Sequence, residues 1–202
     1  MRYRFISIEN EYGSGGEIIA EELASLLHLP CHYTDISEEL AFRLGLTTEQ
    51  MAQLEQRVTD SFIYSLYSVG SANMFSPSGS MLSHNIFQTE QEIIGEMAEA
   101  GGGVFLGHCA GVALRERSDH LGVLIRADEP DKRQRVIQDY GIDSSRAVET
   151  MMRKDKNSAN YFFTNSGKRW SDIGNYDLVL NTSRLGIQQS IELLRMLAEM
   201  DE

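Results

Sequence analysis

The sequence predicts an α/β fold in which a parallel sheet of about five strands carries helices on both faces. Short apolar runs alternate with amphipathic segments along the whole chain, which is the pattern of successive βαβ units. The run at 104–106 is continuously apolar, as in a strand that is buried on both faces. The 202 residues fit a single domain, since no linker or internal repeat divides them.

Hydrophobic periodicity and turn residues assign the elements in order. The predicted strands are a first strand from Phe5 to a glycine-rich loop, then residues 31–34, 104–106, 121–127 and 176–181. The predicted helices are residues 17–27, 38–44, 86–100, 110–115, 130–140, a helix from Asp143 or Ser144 through Met152 with a continuation to Phe163, and 187–200. In addition, Thr47 or Thr48 opens a helix through Arg57, residues 61–68 are weakly helical, and residues 69–83 form a loop rich in turn residues.

The glycine-rich loop between the first strand and the first helix has the sequence Glu11-Tyr12-Gly13-Ser14-Gly15-Gly16. A strand that turns through glycines into a helix leaves backbone N–H groups unpaired at the helix N-terminus, where the positive end of the helix dipole favours a phosphate. The sequence therefore predicts phosphate binding by Gly13, Ser14, Gly15, Gly16 and Glu17. A plain glycine-rich turn without a ligand is the alternative.

This loop lacks the charged part of the P-loop signature. In G-x-x-x-x-G-K-[ST] the lysine reaches the outer phosphates and the hydroxyl holds magnesium. If Gly15 is the second glycine of the signature, Gly16 stands where the lysine would be, and neither Glu17 nor Ile18 replaces the lysine or the hydroxyl. The loop is therefore a degenerate Walker A motif, with the shape of a P-loop and without its charge.

The composition limits the classes of partner and the compartment that we expect for this protein. The formal net charge of −12 argues against nucleic acid or an anionic membrane as a partner held by long-range attraction. No run of about 18 apolar residues occurs, and the first residues lack the apolar segment of a signal peptide. The two cysteines, Cys31 and Cys109, form no C-x-x-C pair and fit a reducing compartment. We expect a cytoplasmic protein, and the composition leaves homo-oligomer formation open.

The basic residues of the later chain are candidates for contact with a triphosphate. Lys154 and Lys156 lie in the predicted helix that continues to Phe163, and Lys168 and Arg169 follow in a loop. These four are the candidate catalytic cations; a solvated helix face and loop is the alternative. Asp128, at the end of a predicted strand, is the candidate for contact with magnesium through water, and capping of the next helix is its alternative.

Four segments together resemble the cytidylate kinase-like family. They are the glycine loop, Gly107-His108-Cys109-Ala110, Lys154-Asp155-Lys156 with Ala159 and Tyr161, and Lys168-Arg169-Trp170 with residues 175–183. The resemblance covers essentially the whole chain and implies the fold of a nucleoside monophosphate kinase. By resemblance, the core comprises residues 1–34, 87–153 and 171–202, a monophosphate-binding insert spans about 35–86, and a lid spans about 154–170.

The resemblance also implies an activity, the ATP- and magnesium-dependent phosphorylation of a nucleoside monophosphate such as CMP. It implies that Asp35 and His108 belong to the acceptor site. From the residues themselves, Asp35 can equally cap the following helix, and His108 can fill a crevice at the end of its strand. Trp170 either covers a base or packs the lid on the core, and Cys109 is expected to be a small core residue.

Three departures from the family pattern remove cations. Glu9-Asn10 stands where members usually have Ser-Arg, His108 stands in a usual Gly-Arg-Cys, and Asn157-Ser158 stands where the lid usually carries an arginine. Phosphoryl transfer depends on positioning and on cations that stabilise the transferring group. We therefore expect weak or lost catalysis. A non-catalytic nucleotide- or phosphate-binding regulatory module and a structural oligomer with a vestigial site are the alternatives.

Overall fold

The computed structural model of the chain describes residues 1–45 and 77–200. Its sheet has five parallel strands in the order β2-β3-β1-β4-β5. The strands are β1 (Phe5–Asn10), β2 (Cys31–His32), β3 (Gly103–Leu106), β4 (His120–Arg126) and β5 (Leu178–Asn181). The predicted α/β fold with about five parallel strands is confirmed.

Helices connect the strands and cover both faces of the sheet. They are α1 (Gly16–Leu27), α2 (Thr34–Arg43), α3 (Pro77–Ala100), α4 (Ala110–Leu114), α5 (Glu129–Gln138), α6 (Ala147–Ser166), α7 (Thr182–Leu185) and α8 (Ile187–Glu199), with a 3₁₀ turn at Ile173–Asn175. No described helix is both long enough and apolar enough to cross a membrane.

The alternation of side chains along β1 divides the core between the two faces of the sheet. Ile6 and Ile8 are fully buried on the face that α1 and α8 cover. Phe5 packs on the other face, with apolar residues of α2, α3, α4 and α6. Because successive strand residues point to opposite faces, Ser7 and Glu9 lie on the same face as Phe5. A polar pair thus faces a helix-covered side of the sheet.

Two predicted boundaries were wrong. Helix α3 begins at Pro77, so residues 77–83 are helical although turn residues predicted a loop there. Proline is accepted in the first turn of a helix, and packing can override the low helix propensity of serine and glycine. Helix α2 begins at Thr34 rather than at residue 38, and β2 is correspondingly shorter. The predictions for residues 46–76, two helices and the first part of the loop, lie outside the described residues.

Helix α6 runs without a break from Ala147 to Ser166 and ends where Gly167 adopts a left-handed conformation. The segment predicted as a lid is therefore the second half of this helix and the loop that follows it. Tyr161, Phe162 and Trp170 are buried in the core on the Phe5 face of the sheet. In this structure the segment is packed against the core.

Candidate functional site

The glycine loop has the geometry that the sequence predicts. Gly13 and Gly15 have φ angles of 83° and 88°, a region that favours glycine. Ser14 is fully buried, its N–H donates to the carbonyl of Glu11 (2.9 Å), and its Oγ donates to that of Ile125 (3.2 Å). Helix α1 begins at Gly16, and the first N–H groups of a helix have no acceptor within it. The loop therefore presents the first backbone N–H groups of α1 at the N-terminal end of the helix.

Gly16 is fixed by its contact with the end of β1. A Cβ atom at this position would lie 2.4 Å from Cβ of Asn10, closer than two carbon atoms approach. A side chain here would push α1 away from the strand. The close approach of strand and helix is what keeps the loop tight.

An arginine that sequence reasoning missed lies at this loop. Arg135, on α5, donates a hydrogen bond through Nη1 to the carbonyl of Gly13. Its Cζ lies 3.7 Å from the place that a Cβ of Gly15 would occupy. The guanidinium is therefore a positive charge beside the loop that lacks a lysine. The sequence could have indicated Arg135 only through the order of the elements. Helix α5 follows β4, and β4 is the neighbour of β1 in the sheet.

A second missed cation, Lys132, connects the loop to α6. Its Nζ lies 3.0 Å from Oε2 of Glu11 and 3.2 Å from Oδ2 of Asp155, and the residue is only 9% exposed. Asp155 also accepts a hydrogen bond from the backbone N–H of Tyr12, at 2.7 Å. Helix α6 is therefore attached to the glycine loop by a buried ion pair and by a direct hydrogen bond.

Beside the loop lies a cleft with a volume of about 140 Å³, which we call the acceptor cleft. Glycine loop, β1, β3 and α6 all contribute to its wall. Asn10, His108, Asn157 and Ser158, which stand where the resemblance implies cations, all line it. The departures, which are scattered in the sequence, therefore converge on one place in the fold.

His108 lies in a left-handed turn after β3, with a φ angle of 60°. Its Nδ1 is 2.7 Å from Oε1 of Glu90, which is fully buried on α3, and the hydroxyl of Tyr161 donates to the other oxygen of Glu90. The side chain of His108 is 3% exposed. Its Nε2 is buried and has no hydrogen-bond partner among the described residues. Glu90 therefore orients one nitrogen of the imidazole, and the other has no partner among the described residues.

Glu9 also lines the acceptor cleft, and the sequence analysis did not identify it as a site residue. Its Oε2 accepts a hydrogen bond from Nε1 of Trp170 at 3.0 Å, while Oε1 is buried and unpartnered among the described residues. Removal of this carboxylate from water raises its pKa to about 7, although the Trp170 hydrogen bond and the charge of His108 favour the ionised form. The sequence indicated Glu9 only indirectly, as a polar residue of β1 that shares the face of the sheet with Phe5.

The structure disperses the four candidate cations. Lys154 lines the acceptor cleft, with its Nζ 5.0 Å from the ring centroid of Tyr12. Lys156 and Arg169 are exposed, and exposed Lys168 lines a different cleft. Of the loop residues, Glu17 also lines the acceptor cleft, and its pKa is raised because burial outweighs the opposing charge of Lys154.

The strand-end carboxylates have partners within the protein. The carboxylate of Asp35 contacts Nδ1 of His32 (2.6 Å) and accepts from the N–H of Tyr33 (2.9 Å), and it lines neither described cleft. Asp35 lies inside the first turn of α2, so its predicted role as the residue before the helix was wrong. Its place in a substrate site stays a prediction.

Asp128 does precede α5, as predicted, but its side chain makes no capping hydrogen bond. One oxygen accepts from Nδ2 of Asn181 (3.0 Å), and the other lies 3.1 Å from Arg184. Within the described residues, no three side chains of the usual ligand types converge on a metal position. A water bound to magnesium would compete with Asn181 and Arg184 here, and this contact stays a prediction.

A second cleft, of about 230 Å³, lies on the same face of the sheet. Within it, Oγ of Ser7 is 2.8 Å from Nε2 of His120. Burial lowers the pKa of His120, with the charge of Asp177 opposing it. Oδ2 of Asp177 is held by the N–H of Gly122 at 2.7 Å. Ser7, His120, Asp177 and the backbone of Gly122 are thus held by partners within the protein.

Comparisons with solved structures reveal the same fold over nearly the whole chain. An uncharacterized protein from Eubacterium ventriosum has 20% identity and a TM-score of 0.72, with 98% of this chain and 99% of that chain covered. The protein TT1252 from Thermus thermophilus (14% identity, TM-score 0.55) covers 98% of each chain. Shikimate kinase from Bacteroides thetaiotaomicron (14% identity, TM-score 0.52) covers 96% of this chain and 98% of its own.

At these identities the likeness shows a shared fold and nothing more. No curated protein matches the chain. A sequence model of the cytidylate kinase-like family, in contrast, matches residues 5–184. That match contains the glycine loop, the acceptor cleft and all of α6. The chain therefore belongs to the cytidylate kinase-like family.

Proposed function

We propose that this protein binds a nucleoside triphosphate, ATP in the simplest case, with its phosphates on the glycine loop. The observation that carries this proposal is the loop itself, in which left-handed Gly13 and Gly15 lead directly into α1. Arg135 adds a guanidinium beside the loop and supplies part of the positive charge that the degenerate Walker A motif lacks. Donors and charge together are the chemistry of phosphate binding.

The reaction that we propose is phosphoryl transfer of the kinase type, with a nucleoside monophosphate such as CMP as a very poor acceptor. Asn10, His108, Asn157 and Ser158 line the acceptor cleft in place of the expected arginines. Loss of one preorganised donor typically lowers a rate by 100- to 1000-fold. Several losses together are expected to leave little transfer to CMP. Magnesium would accompany the triphosphate as its counter-ion.

A second candidate function is nucleotide binding without turnover, as a regulatory module. The hydrogen bond from Tyr12 to Asp155 and the ion pairs of Lys132 attach α6 to the loop. A ligand that moves the glycine loop would therefore also shift α6 and the segment that follows it. We propose that residues 154–170 of this region form a lid. Such a coupling needs no chemical step. In either function we expect a cytoplasmic protein, in which both cysteines stay reduced.

Calorimetric titration with ATP, CMP and both together, with and without magnesium, tests the binding proposal. We expect ATP to bind and magnesium to strengthen the binding. A coupled assay then separates the two candidate functions. Slow turnover favours the kinase, and binding without turnover favours the module. A CMP turnover of about 1 per second or more, the ordinary range of enzymes, would contradict the weak catalysis expected here.

A further inference from the structure

We propose that the acceptor cleft takes a compound that offers an uncharged hydroxyl group, and that Glu9 is the general base that accepts the proton of this hydroxyl. The inference rests on the proposed triphosphate site and replaces a phosphate acceptor by an alcohol. It is carried by three features of the cleft: its charge, its unpartnered polar atoms, and the position of Glu9 beside the loop.

The charge of the described residues that line the cleft opposes a phosphate. Glu9 and Glu17 line it, and the buried carboxylate of Glu90 lies directly behind His108. Among the described lining residues, Lys154 is the one with a permanent positive charge. A nucleoside monophosphate brings about two negative charges at neutral pH. An uncharged hydroxyl compound enters the same cleft without this repulsion.

Two buried polar atoms of the cleft lack partners within the described residues. Oε1 of Glu9 is an acceptor, and Nε2 of His108 belongs to a side chain that is only 3% exposed. Buried polar atoms without partners are rare and costly, so a ligand that pairs with them is favoured. A hydroxyl group can donate to the carboxylate, and a second one can pair with the imidazole in either tautomer.

Glu9 lies in the same cleft as Tyr12 of the glycine loop and Glu17 of α1. A hydroxyl held by Glu9 therefore shares the cleft with the loop on which we propose that the triphosphate lies. The pKa of Glu9, about 7, suits proton transfer at neutral pH. A general base serves a hydroxyl acceptor, whereas a phosphate acceptor is already deprotonated and needs none.

The proposed step is balanced by the triphosphate and the acceptor alone. The hydroxyl oxygen forms a bond to the γ-phosphorus, while the bond from that phosphorus to the β–γ bridging oxygen breaks. The electron pair of the broken bond leaves with the nucleoside diphosphate. The proton of the hydroxyl passes to the carboxylate of Glu9 and then to solvent.

The pH dependence of this step is set by the groups around Glu9. On the side of the acceptor cleft, the charged groups among the described residues are His108, Glu90, Glu17 and Lys154. Cys109, Tyr161 and Tyr176 also face Glu9, and burial raises the pKa of each, so they stay protonated at neutral pH. Glu9 also borders the second cleft, where the corresponding groups are Arg115, Lys168, His120 and Asp177. The indole of Trp170 stays a neutral donor throughout the physiological range, and its hydrogen bond favours the ionised form of Glu9.

The first experiment measures charge selectivity without turnover. CMP is titrated calorimetrically into protein loaded with a non-hydrolysable ATP analogue, with Glu9→Gln and Glu17→Gln compared with the native chain. The titration is made at pH 8, above the pKa of Glu9, so that each substitution removes one negative charge from the cleft and is expected to raise the affinity for CMP about tenfold. Glu22→Gln, on the exposed side of α1, is the control and leaves the affinity unchanged.

The second experiment uses water as the smallest hydroxyl acceptor and measures ATP hydrolysis. We expect slow hydrolysis whose rate rises with pH through about 7 as Glu9 loses its proton. Glu9→Gln should lower the rate by about 100- to 10,000-fold, remove the inflection, and leave the affinity for ATP unchanged.

Three results overturn the inference while ATP still binds: no hydrolysis by the native chain, equal hydrolysis by Glu9→Gln, or CMP affinity that the cleft substitutions leave unchanged. Failure of ATP to bind at all is a different result. It would remove the proposed function, and this inference with it.

Discussion

Nε1 of Trp170 donates a hydrogen bond to Oε2 of Glu9 at 3.0 Å, and this bond connects the loop after α6 to the end of β1. Trp170 is 7% exposed, and its carbonyl accepts a hydrogen bond from the hydroxyl of Tyr176 (2.8 Å). The proposed lid is therefore anchored in the core through its tryptophan. Any movement of the lid that withdraws Trp170 leaves the carboxylate of Glu9 to water or to a ligand.

The first prediction concerns the dependence of stability on pH. The pKa of Glu9 is raised from its usual 4.5 to about 7, so the folded chain keeps this proton between those values whereas the unfolded chain has lost it. The contribution of Glu9 to stability therefore decreases as pH rises from about 4.5 to about 7. Glu9→Gln can keep the Trp170 hydrogen bond and does not titrate.

The free energy of unfolding of Glu9→Gln, relative to the native chain, should thus increase by on the order of 3 kcal/mol between pH 5 and pH 8. Urea denaturation at several pH values measures it. Glu22→Gln, an exposed change, should show a constant difference. A constant difference for Glu9→Gln as well would mean that its carboxylate is ordinarily ionised in the folded chain.

The second prediction concerns the glycine loop. Gly15→Ala places a Cβ 2.7 Å from Cδ1 of Ile187 at a φ angle of 88°. Strain of about 1–2 kcal/mol and overpacking of about 1–3 kcal/mol should add to a loss of roughly 2–5 kcal/mol in stability. Gly141→Ala shares the positive φ angle but meets nothing within 4 Å, so only the strain is expected. Equal losses in the two variants, measured by thermal or urea unfolding, would show that the packing of the loop on α8 is loose.

The third prediction concerns the missing lysine. If Arg135 supplies charge to the loop, Arg135→Ala should weaken ATP binding by about 10- to 100-fold, the range of a hydrogen bond to a charged group. Arg133→Ala removes an exposed arginine of the same helix and should leave the affinity within about twofold. Calorimetry with each variant measures the difference. Equal affinities for the two variants would assign the charge at the loop to another residue.

The fourth prediction concerns Lys132. Its removal in Lys132→Ala leaves the carboxylates of Glu11 and Asp155 partly buried without their shared cation. Breaking such a pair typically costs about 3–5 kcal/mol. Lys156→Ala, on the exposed side of α6, is the matched control and should change stability by less than about 0.5 kcal/mol. A loss below about 1 kcal/mol for Lys132→Ala would mean that α6 does not depend on this pair.

Local patterns predicted the sheet because each strand carries its own signal. The apolar run of β3 and the glycines after β1 are properties of neighbouring residues, and the structure confirms both. The start of α3 was missed for the opposite reason. Pro77 and the residues after it have poor helix propensity, so a local pattern predicts a loop where the structure has the first turns of α3.

Sequence patterns pointed only to those candidate site residues that lie in recognisable local motifs. The glycine loop and His108 were found because strand ends are recognisable in the sequence. Arg135 and Lys132 were not found, since they reach the loop from a helix more than 100 residues away, where they resemble ordinary surface cations. Lys168 and Arg169 were grouped with Lys154 because all three are basic and lie in the predicted lid. In the structure Lys154 lines the acceptor cleft, Lys168 lines the second cleft, and Arg169 is exposed.

The claim that supports all the others is that the glycine loop binds the phosphates of a triphosphate. Titration of ATP into the isotope-labelled chain, followed by the amide resonances, tests it residue by residue. We expect the amides of Gly13, Ser14, Gly15, Gly16 and Glu17 to shift most, and the shifts to saturate with one ATP per chain. Saturating shifts elsewhere with these five amides unchanged, or no shifts at millimolar ATP, would contradict it.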